Sequence, residues 1–255
     1  MRPEIYQEMA CLQADHWWFV ARRRILAAVI SRLPLPKKAE ILEIGCGTGG
    51  NIAMLTRFGR VRAMEYDDYA RSMATGLSGI TIVPGSLPDN VPFDDHQFDL
   101  VCLLDVLEHI EDDRAALSRV KRLLKPDGRL LVTVPAYAWL WSSHDAGHRH
   151  WRRYTAGMLR QLTAAAGVQI VRLGYFNTLL FPLIAGLRMI RKLAGRPAHG
   201  SDAALPSRPI NCLLTWLFSV ERHWLRHAVF PFGTSVMAVL SAEPAQEKEV
   251  VCPNR

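Results

Sequence analysis

The run Ile41-Leu42-Glu43-Ile44-Gly45-Cys46-Gly47-Thr48-Gly49-Gly50 constrains this chain more than any other stretch. Its first residues read as a buried strand. The glycines after them let the backbone turn sharply and come close to a ligand. The helix expected next, over about 50–58, would present free N–H groups to that ligand. A strand, turn and helix of this kind belong to an open α/β sheet with right-handed crossovers.

The rest of the chain alternates accordingly. Strands are predicted at 40–45, 61–66, 80–84, 98–104 and 129–134, with helices near 69–77 and 113–124. The 98–104 strand is almost continuously apolar, as a strand covered on both faces should be. Lys125-Pro126-Asp127-Gly128 reads as a helix stop and turn. A helix at 156–166, stopped by Gly167, leads to a sixth strand at 168–173. Two apolar helical stretches, 178–193 and 210–227, precede a last strand at 235–242. At the other end, 4–33 reads as one or two helices broken by Pro34 and Pro36. The expected organisation is a helical lead-in or lid over 1–36 and an α/β domain over 37–242. That domain carries a helical insertion at 178–232, and a disordered tail follows at 243–255. A chain of 255 residues with 49% hydrophobic residues suffices for one such elaborated domain.

Composition excludes several classes. The cysteines, Cys11, Cys46, Cys102, Cys212 and Cys252, are odd in number and lack C-x-x-C spacing. They read as free thiols in a reducing compartment. Glu4, Glu8 and Asp15 come early and no apolar leader core precedes them, so no signal peptide is expected. The longest uncharged runs, 174–187 and 228–242, are interrupted by Pro182 and Pro231. Both fall short of the roughly 18–20 residues of a spanning helix. The expected location is the cytoplasm, with peripheral contact at the inner membrane surface.

That contact is suggested by the charge. Between His144 and His227 twelve Arg and Lys stand against Asp145, Asp202 and Glu221, leaving +9 there and −2 elsewhere. In the same region Arg188, Arg191, Lys192 and Arg196 lie beside Leu179, Leu180, Phe181, Leu183, Leu187 and Ile190. The second stretch carries Trp216, Leu217, Phe218, Trp224 and Leu225. Such helices suit a bilayer interface or a greasy pocket. Packing on the core or on a second subunit is the plainer reading.

The glycine turn admits two ligands. Gly45, Gly47 and Gly50 satisfy Gly-x-Gly-x-x-Gly, so a dinucleotide enzyme has to be considered. Glu43, however, stands two residues before the first glycine. A carboxylate there suits the α-ammonium of the methionine part of S-adenosylmethionine (SAM) and is poorly placed beside a pyrophosphate. Glu65 ends the second strand, where an acid can accept both ribose hydroxyls, and Tyr66 is placed to pack against an adenine.

From 40 to about 136 the sequence resembles the class I SAM-dependent methyltransferases. The resemblance rests on Glu43-Ile44-Gly45-Cys46-Gly47-Thr48-Gly49, on Glu65, on Phe98-Asp99-Leu100-Val101 with Asp105-Val106-Leu107-Glu108-His109, and on Leu124-Lys125-Pro126-Asp127-Gly128. It implies a Rossmann-like fold, a seven-stranded, mostly parallel sheet whose last strand, here 235–242, is antiparallel. It also implies SAM as cofactor. Glu43 and the turn residues Gly45, Cys46, Gly47 and Gly49 would hold the methionine end. Glu65 would take the ribose, Ser86 and Leu87 would lie beside the adenine, and Asp105 and Val106 would border the sulfonium. Relatives often carry an acid where Ser86 stands, so adenine recognition departs from the pattern there. His16-Trp17-Trp18-Phe19 with Arg22, Arg23 and Arg24 resembles the lead-in helix of a bacterial subgroup of small-molecule and lipid-type enzymes, a helix that would lie over the cofactor mouth. A packing helix with snorkelling arginines is the plainer reading.

Methyl transfer is an in-line displacement, and the protein mainly aligns the nucleophile and excludes water. A base is needed only where the acceptor must lose a proton. Candidates follow the fifth strand in His144-Asp145-Ala146-Gly147-His148-Arg149-His150-Trp151-Arg152-Arg153-Tyr154. His144 or His148 is expected as the base, with Asp145 orienting it. Arg149, Arg152 and Arg153 suit an anionic acceptor, while a solvated basic loop is the plainer reading. His109 is expected to cap the turn after the fourth strand, with an active-site contact as the alternative. No metal site is expected, because the histidine run lacks ligand spacing. Neither an Asn/Asp-Pro-Pro-aromatic motif nor a nucleic-acid-binding module is found, which argues against nucleic acid as partner. The combined expectation is a methyltransferase acting at oxygen on a small or lipid-linked acceptor. The rivals are an NAD(P)-dependent oxidoreductase and a SAM-binding regulator without turnover.

Overall fold

The structure, a computed structural model, describes residues 3–193 and 205–242. Arg196 and the tail expected at 243–255 lie outside the described residues.

The glycine turn is where the sequence put it. Strand β1 (Ala39–Ile44) runs into it, and the short helix α3 (Ile52–Leu55) follows. The helix is shorter than the expected 50–58 because its flanks close with three-residue bonds. Ile52 N–H donates to Gly49 C=O at 3.1 Å and Phe58 N–H to Leu55 C=O at 2.9 Å. Next come β2 (Gly59–Glu65), α4 (Asp68–Ser78), β3 (Ile82–Pro84) and β4 (Phe98–Leu104). The Asp67 carboxylate starts α4 by accepting from the N–H groups of Tyr69 and Ala70, and Gly79 ends it in a left-handed conformation.

Helix α5 (Asp113–Leu123) passes straight into β5 (Leu124–Pro135). The expected turn at Lys125-Pro126-Asp127-Gly128 is instead held within the strand. Leu124 is fully buried and pairs with Phe98, and the register then shifts before Leu100 meets Arg129. Gly128 fits this crowded irregularity because a Cβ there would stand 2.9 Å from the carbonyl oxygens of both Lys125 and Phe98.

The chain continues through α6 (Ser143–Gly147), α7 (Ala156–Ala165), β6 (Gln169–Phe176), α8 (Phe181–Leu193), α9 (Arg208–Leu225) and β7 (Ser235–Ser241). The seven strands form one sheet in the order β3-β2-β1-β4-β5-β7-β6, with β7 antiparallel to both neighbours. This is the expected Rossmann-like sheet. Its order reverses between β1 and β4, and the crevice at the carboxyl ends of those strands is where open α/β sheets take ligands.

Period-two alternation sorts the strand residues into two cores. Leu100, Cys102, Leu104, Met237 and Val239 face one way, toward α2 (Trp17–Ile30) and α9. Val101, Leu103, Val236, Ala238 and Leu240 face α5 and α7. By the same parity Ile41 and Glu43 lie on the α2 side. An acid therefore points from the central strand at the helix that carries Arg22.

The N-terminal stretch forms two helices, α1 (Pro3–Leu12) and α2. His16 caps α2, its Nδ1 accepting from Trp18 N–H at 3.3 Å. Asn211 of α9 clasps the start of α2. Its Oδ1 accepts from Trp17 N–H at 2.8 Å, and its Nδ2 donates to Asp15 C=O at 2.8 Å. The inner face of α9 is core, with Phe218 and Leu225 fully buried. Buried Glu221 accepts from the N–H groups of Asn177, Thr178 and Leu179 at 2.6–2.8 Å. The outer face of α9 leaves Leu213, Trp216, Val220 and Trp224 exposed, and α8 exposes Leu183, Leu187, Met189 and Ile190. No helix among the described residues is long and apolar enough to cross a membrane.

Candidate active site

The glycine turn needs three positive φ angles, at Gly45 (68°), Gly47 (55°) and Gly49 (82°). Gly45 is pressed from above by the residue that follows β4: a Cβ on it would stand 2.8 Å from Val106 Cγ2. The β1 turn and the end of β4 are thus in contact. Gly45→Ala should cost about 1–2 kcal/mol for the left-handed backbone alone, with the Val106 clash added. An unchanged denaturant midpoint would contradict this placement.

Glu43 is 1% exposed. Its Oε1 accepts from Asn51 Nδ2 at 2.8 Å, while buried Oε2 has no partner among the described residues. Burial pushes its carboxyl up to about 7, against the opposing pull of the Asn51 hydrogen bond and the Arg22 charge. Glu65 at the end of β2 accepts from Gly47 N–H at 2.8 Å on one oxygen and from Asp67 N–H at 3.0 Å on the other. It braces the turn and keeps lone pairs for a ribose. Cys46 is buried, and burial raises its thiol's pKa. Tyr66 is 77% exposed at the mouth. Ser86 and Asn90 exchange backbone hydrogen bonds at 2.7 and 3.0 Å, and Leu87 packs on the α5 side of the sheet.

Sequence reasoning named Arg22 only as part of the lead-in helix. The structure buries it in the site. Its Nη2 lies 2.7 Å from Asp105 Oδ2 and donates to Thr133 Oγ1 at 2.8 Å, and the guanidinium sits 5.1 Å from the Trp18 ring. Its Nε is buried without a partner among the described residues. A buried cation and a buried acid, each with one unused polar atom, suit the carboxylate and ammonium of a methionine head. The residues present therefore fit SAM. The lead-in also covers the turn: Thr48 Oγ1 donates to Gln13 Oε1 at 2.8 Å, and Gln13 lies over Gly50. Asp105, at φ 62°, is held by Arg22 and by Thr133, whose hydroxyl donates to Oδ1 at 3.1 Å.

The histidine segment is ordered by Asp145. Residues 143–147 form α6 with a capping box, Ser142 N–H donating to Asp145 Oδ2 at 2.8 Å. Asp145 is fully buried and receives Arg153 on both oxygens, at 2.7 and 2.9 Å. Its imidazole partner is His150, with Nδ1 2.9 Å from Oδ1. The orienting pair is therefore Asp145–His150 and not Asp145 with His144 or His148. Five residues of separation serve because the chain reverses after α6, His150 N–H donating to Asp145 C=O at 3.0 Å. His144 and His148 stack on each other, centroids 4.0 Å apart. Burial, then the neighbouring imidazoles, push His148 down to about 3, leaving it neutral and feebly basic.

The structure adds two residues from the short turn after β4 (107–109). Glu108 is fully buried, and neither carboxylate oxygen has a hydrogen-bond partner among the described residues. His109 does more than end that turn: its ring stands edge-on to His150 with centroids 4.6 Å apart. Burial, reinforced by His150, lowers it to about 4. Glu108 was legible in sequence only as part of a motif. Arg152 is drawn away to Asp113 at 2.7 Å, so with Arg153 it serves the fold.

Comparison with known proteins agrees with this geometry. The methyltransferase-domain family matches residues 19–173, more than half of the chain. The chain belongs to this family, the class I SAM-dependent methyltransferases, and its cofactor is SAM. It is 28% identical over 121 residues to an O-methyltransferase of Aspergillus sclerotiorum, covering 44% of this chain and 46% of that one. It is 32% identical over 113 residues to the dimethylglycine N-methyltransferase of Parasynechococcus marenigrum, covering 41% and 40%. The chain thus spans less than half the length of each of these relatives. Among solved structures, a chain of the Haloferax volcanii complex between the Trm112 activator and a methyltransferase shares the fold. It has a TM-score of 0.61 and 16% identity, covering 95% of this chain and 94% of that one.

Proposed function

We propose that this protein transfers the SAM methyl group to an oxygen of a small or lipid-linked acceptor. The acceptor meets the sulfonium beside Asp105 and Val106, with its oxygen against Glu108, His109 and His150. The buried Asp145–His150 pair carries this reading, because an imidazole fixed at one nitrogen presents the other in a defined direction. Bound SAM would supply the methyl group, its sulfur taking the electrons of the broken carbon–sulfur bond, while the acceptor oxygen would lose its proton to His150. Arg22 and Glu43 would hold the carboxylate and ammonium of the methionine head and gain nothing between ground and transition state, so they serve binding. Since the two relatives act at different atoms by name, the choice of oxygen rests on the cluster.

The lipid-linked alternative draws on the outer surface. Exposed Leu183, Leu187 and Ile190 on α8 and Leu213, Trp216 and Trp224 on α9 are accompanied by exposed Lys192, Arg208 and Arg226. Apolar side chains with basic neighbours suit an anionic bilayer surface.

The test is methyl transfer from labelled SAM into soluble and lipid extracts, followed by identification of the methylated atom. An O-methyl product is expected. His150→Asn should lower turnover about 10²–10⁴-fold with S-adenosylhomocysteine affinity unchanged. An N- or C-methyl product, or full turnover in the variant, would overturn the oxygen reading.

A further inference from the structure

We infer that Glu108, His109 and His150 form a binding site for a divalent first-row transition ion. The inference deepens the proposed reading, since the ion would sit where the acceptor oxygen arrives.

Three observations carry it. The ligand atoms these residues offer all lie within 4.8 Å of one another. Glu108 is fully buried, and among the described residues neither of its oxygens has a hydrogen-bond partner. A carboxyl in that condition bears the cost of desolvation without return, and a cation is what would satisfy it. His150 is also held from behind. Its Nδ1 is fixed by Asp145, which is itself locked by Arg153 and Ser142. Outer acceptors that fix one imidazole nitrogen and leave the other for a metal are the usual support of histidine ligands.

Two imidazoles and one carboxylate suit zinc, manganese or iron(II) better than calcium or magnesium, which favour all-oxygen sets. An ion about 2.0–2.2 Å from each donor would draw the three side chains closer than they stand, a movement within reach of their rotatable bonds. Three protein ligands leave coordination positions open. With His150 bound to the ion and no longer free to take the proton, an acceptor hydroxyl in one of them would lose it more readily to solvent. The sequence hid this site because residues 108 and 109 follow β4 while residue 150 follows α6, and neither segment alone has ligand spacing.

The experiment is a Co²⁺ titration of the tag-free, full-length protein, followed by visible absorption, with Zn²⁺ as competitor and elemental analysis of the purified protein. One ion per chain with a stoichiometric rise of the cobalt bands is expected. Glu108→Gln and His109→Asn should each weaken uptake at least tenfold, while His223→Ala on the exposed face of α9 keeps it. Binding of S-adenosylhomocysteine by each variant shows that it is folded, and two separate ligand variants guard against one failing. Absence of stoichiometric uptake, or uptake by both ligand variants as tight as that of the wild type, overturns the metal site. Neither result bears on the methylated atom, which the extract experiment reads separately.

Discussion

Asp145→Ala is expected to lower unfolding free energy by about 3–5 kcal/mol, the range for removing one partner of a buried ion pair. Arg153, 6% exposed, receives this carboxylate on two nitrogens and, among the described residues, otherwise donates only to Ala136 C=O. Without the carboxylate its charge stays inside unpaired. The capping box of α6 goes with it, worth a further 0.5–2 kcal/mol or so. Burial opposes ionisation of Asp145, yet hydrogen bonds from His150 and Arg153 hold its carboxyl well below the usual carboxylate range. Its folded pKa is depressed, so its contribution is full above about pH 4 and fades as acid protonates it. Urea unfolding at pH 7 measures the effect. The double variant Asp145→Leu with Arg153→Met should recover much of the loss, because no charge is then stranded. A single-variant loss below about 1 kcal/mol would contradict the pairing.

Glu43→Gln should weaken S-adenosylhomocysteine binding by about 1–3 kcal/mol, the cost of a lost charge-assisted hydrogen bond. The wild-type affinity should also depend on pH in a particular direction. Burial raises the free carboxyl to about 7, above its unfolded value, so the empty fold prefers the protonated acid. That preference costs stability progressively as pH rises from about 4.5 to 7. A ligand ammonium prefers the carboxylate. Binding at pH 6 must therefore expel a proton, and affinity should fall as pH drops below about 7. Calorimetry in buffers of different ionisation enthalpy reads the proton directly. Wild-type affinity flat between pH 6 and 7.5, with no proton released, would remove Glu43 from the ammonium site. In Glu43→Gln the acid limb should vanish.

The sheet was legible because its signals are local. Continuous apolar runs, glycines at fixed offsets and two acids at strand ends are all readable within a few residues, and β4 falls at its expected limits. Val106, which follows β4, meets Gly45 after β1 because the strand order puts those two strands side by side. What escaped depends on contacts remote in sequence. Arg22 reaches a hydroxyl 111 positions away, and nothing in the Arg22-Arg23-Arg24 run says which one turns inward. Helix phase decides it: Arg23 bonds Gln13 C=O and Arg24 bonds Ser219, leaving Arg22 on the buried stripe. His150 escaped because the reversal after α6 is tertiary. One clue was in plain view, since Ser142 and Asp145 have capping-box spacing, and that spacing places the acid at the third helical position.

Helix α2 holds Arg22 against Asp105 at one point, and at another it is fastened by Asn211 to α9, whose outer side is greasy and basic. A single rigid rod thus joins the cofactor's doorway to the molecule's outermost surface. A load on the outer side of α9 would therefore be carried along that rod to the Arg22–Asp105 pair.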